Sequence, residues 1–138
     1  MAKVSNFIIC EDIQNQFVPN TENESLTLQP SIVSPLSSVT PVSIPGNYSF
    51  AMFGVLSEYD KNTANEMVIS IEDPNGKECF STSSIKIPQA IEGGTDNFSF
   101  AINLRNFVFK YEGKYKIRIK FNFEDCFVFP FDVSARGV

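Results

Sequence analysis

Three times between Asn97 and Val133, apolar residues fall on every second position. Phe98, Phe100, Ile102 and Leu104 alternate with Asn97, Ser99, Ala101 and Asn103. After Gly113 the pattern returns, with Tyr115, Ile117, Ile119 and Phe121 set against Lys114, Lys116, Arg118 and Lys120. It closes with Phe127, Phe129, Phe131 and Val133. Successive side chains leave opposite faces of an extended strand, so a period of two sustained over this length predicts a half-buried antiparallel sheet. Glu124-Asp125 reads as the turn between the last two strands.

The earlier part of the chain repeats the theme in shorter pieces. Val4 to Cys10 predicts a first strand, and Leu26 to Val33 a second one interrupted by Pro30. Asn47 to Glu58 is apolar on both sides, as expected of a central strand covered on both faces. Met67, Ile69 and Ile71 alternate up to Asp73-Pro74-Asn75-Gly76, whose proline in the second place and glycine in the fourth give a type I turn. Lys77 to Ser81 then returns as the partner of a hairpin. Gln14 to Glu24, Ser34 to Pro45 and Ser81 to Asp96 read as connectors, and no segment has sustained helical periodicity. Eight or so short strands without helices predict an all-β chain: a single antiparallel two-sheet β-sandwich, immunoglobulin-like or C2-like. The domain spans residues 1–133, with 134–138 a short tail.

Composition narrows the chemistry. The chain has no histidine, so no imidazole can serve a Ser or Cys nucleophile or ligate zinc, copper or iron. Fourteen Phe and no Trp suit strands and leave no tryptophan platform for a sugar, which weighs against a glycosidase carboxylate pair. The net charge of −5 argues against nucleic acid or an acidic membrane as the main partner. Cys10, Cys79 and Cys126 are odd in number and widely spaced. They read as buried thiols in a reducing cytoplasm, with one bridge such as Cys10 to Cys126 as the alternative. The N-terminal apolar run stops at Glu11-Asp12, too short for a secretory signal, and no stretch reaches the length of a membrane span.

Tyr111-Glu112-Gly113-Lys114-Tyr115 resembles the corner that enters the penultimate strand of immunoglobulin-like domains, where a Tyr hydroxyl turns back to the backbone. Tyr115 is the candidate for that role, although the immunoglobulin disulfide and core Trp are missing. The whole layout also resembles a family of short bacterial and prophage-borne proteins of unknown function. Its members open with a strand ending in an acidic pair, here Phe7 to Ile13. They close with Gly-x-Tyr and Pro-Phe-x-Val, here Gly113-Lys114-Tyr115 and Pro130-Phe131-Asp132-Val133. The resemblance implies a β-sandwich and carries over no catalytic residues.

Two surface features are candidates for function. Lys114, Lys116, Arg118 and Lys120, with Arg105 and Lys110 nearby, form a basic group fit for an anionic or acidic partner; the plain alternative is a solvated face that discourages edge pairing. Val128 and Pro130 lie on the back of a strand whose front carries phenylalanines, so they are either covered within the sandwich or form an interface strand. Carboxylates cluster near strand ends at Glu11, Asp12, Asp60, Asp73, Glu124 and Asp125, but without a D-x-D-x-D run in one loop for calcium. The expectation is therefore a cytoplasmic protein that is not an enzyme, with no catalytic, cofactor or metal residues. It binds a protein partner or a second copy of itself, and neither nucleic acid nor membrane. A C2-like calcium or lipid module and a structural component of a phage or similar assembly are the alternatives.

Overall fold

The structure, a computed structural model, describes residues 2–20, 25–60, 62–87 and 97–136. Among these are ten strands and no helix: β1 (Lys3–Asn20), β2 (Ser25–Pro35), β3 (Ser38–Val39), β4 (Gly46–Ser57), β5 (Asn65–Glu72), β6 (Glu78–Ser81), β7 (Ile85–Ile87), β8 (Phe98–Phe109), β9 (Gly113–Phe121) and β10 (Glu124–Val133). One sheet runs β2-β1-β4-β8. The other runs β3-β10-β9-β5-β6, with β7 also paired to β5. All pairs are antiparallel except β3 with β10. No helix of the described residues is long and apolar enough to cross a membrane.

The alternation does what its period requires. Phe100 and Leu104 of β8, Tyr115, Ile117 and Ile119 of β9, and Phe131 and Val133 of β10 are all buried. β4 is interior in its sheet, and Phe50, Ala51, Met52 and Leu56 lose nearly all contact with solvent. Phenylalanines join the two sheets across the core. Phe7 of β1 lies 4.9 Å from Phe129 of β10, Phe50 of β4 lies 6.2 Å from Phe131, and Phe107 of β8 lies 6.0 Å from Phe80 of β6. Such tilted and edge-on pairs add directional attraction to the burial of apolar area.

Tyr115 takes the corner position. Its ring is 1% exposed, and its hydroxyl donates to the Tyr111 carbonyl at 2.9 Å. Burial pushes its pKa up, which keeps the phenol protonated as the donor this bond needs. Tyr115→Phe keeps the ring and removes the bond, so it is expected to lose about 1 kcal/mol of stability. A shifted urea midpoint with an unchanged slope would register it; a midpoint equal to that of the parent would show that the corner contributes nothing.

The strands and turns expected from the sequence need four corrections. Residues 14–20 are strand, because β1 leaves β4 after Cys10 and pairs with β2 from Cys10 to Asn20; this pairing outweighs the polar, turn-like composition. β2 is continuous through Pro30, which pairs with Asn15 of β1, and among the described residues β2 is an edge strand; on that edge a missing N–H costs little. Two short strands, β3 and β7, sit inside stretches read as connectors, while residues 88–96 of the last connector lie outside those described. The final hairpin turns at Asn122-Phe123, with Glu124 and Asp125 already paired in β10. The Asp73–Gly76 turn is as expected: the Gly76 amide donates to the Asp73 carbonyl at 3.0 Å, and Asp73 Oδ1 accepts from the Asn75 and Lys77 amides. Of the tail, Ser134 and Arg136 still donate backbone bonds to Val39 and Pro41.

Candidate functional site

The outward face of the β9–β10 pair holds most of the residues singled out above. Lys114, Lys116, Arg118 and Lys120 leave β9 on the side opposite the buried Tyr115, Ile117 and Ile119. Register then places Val128 directly beside Arg118 and Pro130 beside Lys116. Val128 is 41% exposed and Pro130 is also exposed, so the back of the last strand is open to solvent on this side. An apolar step flanked by four cations is thus assembled from two strands that the sequence described separately.

The same sheet also brings carboxylates to the row. Glu72 pairs with Lys116, Asp125 with Lys120, and Asp132 with Lys114 across the ladders. Arg118 Nε stands 2.9 Å from Glu72 Oε1 and its Nη1 3.8 Å from Asp125 Oδ2. The Nε proton is not aimed at the carboxylate and makes no hydrogen bond, so the Glu72 contact is held by charge alone. Arg118 is the committed member of the row. Among the described residues Lys114, Lys116 and Lys120 hold no ion pair within salt-bridge distance.

Arg105 and Lys110 lie elsewhere. Arg105 belongs to β8 of the other sheet and makes a 2.9 Å ion pair with Asp12. Both basic residues line a cleft of about 560 Å³ between β8 and the β5–β6 turn, together with Phe80, Phe107, Tyr111 and Cys79. Sequence proximity to the row misled here, because a sandwich connection carries neighbours in sequence to different sheets. The Cys79 thiol donates to the Ile71 carbonyl at 3.4 Å, and burial together with the Asp73 charge pushes its pKa up. All three thiols are free, but only Cys10 is buried, Cys126 being half-buried and Cys79 exposed, so the expectation of three buried thiols holds for one. Burial raises Cys10 and Cys126 as well, which favours the protonated form, poor in nucleophilicity.

The carboxylates named from the sequence are dispersed. Asp12 is used by Arg105, and Asp73 by the amides of its own turn. Asp60 caps a loop by accepting from the Asn62 amide. No group of three His, Cys, Asp or Glu with metal-binding spacing occurs among the described residues.

Two packed sheets of this order, pinned by a tyrosine corner and offering an open sheet face, define an immunoglobulin-like β-sandwich. The chain belongs to the family of unknown function DUF6941, which matches residues 8–134. Among solved structures it is similar to an immunoglobulin-like protein from Pseudomonas aeruginosa, at 13% identity and a TM-score of 0.35, over 94% of this chain and 98% of that one. No curated protein matches it.

Proposed function

We propose that this chain is a non-catalytic domain of the bacterial cytoplasm that binds a protein through the outward face of β9 and β10. The observation that carries the reading is the juxtaposition of exposed Val128 and Pro130 with three lysines that have no ion pair among the described residues. An apolar centre with a charged rim is the usual anatomy of a protein contact: the centre supplies burial, and the rim supplies orientation and rate. A partner that fits has an apolar patch ringed by carboxylates.

Capture from the native cell lysate tests this directly, with the parent protein and a Lys114→Glu, Lys116→Glu, Lys120→Glu variant run side by side. A protein held by the parent and lost by the variant is the expected result. Equal retention by both, or nothing held above a blank matrix, would sink the proposal.

A further inference from the structure

The tip of the β9–β10 hairpin holds a residue at odds with its backbone. Asn122 and Phe123 form a two-residue turn with φ of 50° and 70°. Both central residues of such a turn need positive φ, which Asn tolerates and Gly prefers. A phenylalanine at φ 70° is strained, and this one is also 79% exposed, so it is the most exposed large apolar side chain among the described residues. The turn is nevertheless held firmly. Asn122 Oδ1 accepts from the Glu66 amide at 2.9 Å, the Asn122 amide donates to the Glu66 carbonyl at 2.9 Å, and Asn122 Nδ2 donates to Asn65 Oδ1 at 2.9 Å. Strain of this kind, fixed by its surroundings and spent on presenting an apolar ring to water, marks a contact site.

Beside the ring lies a groove of about 510 Å³ lined by Ala64, Ile87, Asn122 and Phe123 itself, with Glu66 and Lys86 on its rim. Glu66 and Lys86 face each other across the β5–β7 ladder. Knob and groove therefore share one patch, and that patch carries one charge of each sign on a chain of net charge −5. Glu66 Oε2 also accepts from the Ser84 hydroxyl, which leaves its other oxygen for a cation. A patch that holds both an apolar knob and a groove, and a charge of each sign, offers what a two-fold contact uses, since each residue of one copy meets the other's counterpart.

We propose that a second copy of this chain docks here, forming a two-fold dimer in which Phe123 of each protomer enters the groove of the other. Glu66 of one copy meets Lys86 of its partner, and the two rings approach across the axis. The contact involves few side chains, so association is weak and depends on concentration. It uses the end of the sandwich rather than the open face of β9 and β10.

Sedimentation velocity on the full chain, from about 1 µM to about 1 mM, gives the test. The parent is expected to shift from monomer to dimer across that range. Phe123→Gly relieves the backbone strain, so it folds at least as well, with an unchanged or higher Tm, and weakens dimerisation by roughly tenfold or more. Glu66→Lys alone and Lys86→Glu alone each weaken the dimer, and the two together restore it. A parent that stays monomeric throughout overturns the proposal. So does a dimer that persists unchanged in Phe123→Gly, or a charge exchange that fails to restore what the single changes lose.

Discussion

Phe109→Ala is expected to destabilise the fold by about 3–5 kcal/mol, the cost of deleting a large aromatic from a packed core. Phe109 is fully buried at the end of β8 and is a hub for rings from both sheets. It lies 4.7 Å from Phe107, 5.2 Å from Tyr115, 5.9 Å from Phe50 and 6.5 Å from Phe131. Four aromatic neighbours cannot collapse into the space without giving up their own geometry, so the cavity term adds to the lost burial. A domain of this size has a total stability of about 5–15 kcal/mol, so a large fraction would go. Urea denaturation measures it, and a loss below ~1 kcal/mol would show that the ring cluster is not what joins the sheets here.

The second large effect is expected at Gly54. A glycine in a central strand is ordinarily a weakness, since it contributes no side chain and orders a flexible backbone. In this fold the missing side chain is replaced by a neighbour. Phe100 sits directly opposite on β8, and its Cζ lies only 2.5 Å from where a Cβ on Gly54 would be. Gly54→Val therefore has to push out a ring that is 6% exposed and lies 6.4 Å from Phe7, which in turn packs on Phe127 and Phe129. Overpacking of this kind costs about 3 kcal/mol. Combining Gly54→Val with Phe100→Ala lets the valine occupy the space the ring leaves. The double variant should then fall short of the summed single losses by about 1–3 kcal/mol. Strict additivity would mean that the glycine and the ring do not compete for that space.

Both effects trace back to patterns readable along the chain, but to different depths. That Phe100, Tyr115 and Phe131 face inward follows from alternation alone. That Gly54 exists to seat Phe100 does not, because it depends on which residue of β8 falls opposite, 46 positions away in the register of two strands. The candidate site divides in the same manner. The cations of β9 and the exposed backs of Val128 and Pro130 were visible separately, yet only register sets them side by side. Arg105 and Lys110 are close to the row in sequence, but the crossing between sheets carries them to a cleft with Asp12 and Cys79 nearby. Nothing in the sequence marks Phe123, because the adjacent acidic pair Glu124-Asp125 is the more usual turn composition; the one signal is Asn122, a residue that accepts positive φ.

The sequence by itself determined that this chain is an all-β sandwich, which side chains of β8, β9 and β10 alternate inward, where Tyr115 pins a corner and where Asp73 to Gly76 reverses direction. Those are consequences of a two-residue period and of local hydrogen bonding, and both act over a few positions. Tertiary structure alone decided that β1 divides its length between two partners, that β3 and β7 are strands at all, and which charges meet which apolar surfaces. The physical reason is that a backbone N–H or C=O takes whatever partner the packed sheets bring to it, and strands of two or three residues have no period of their own to announce them.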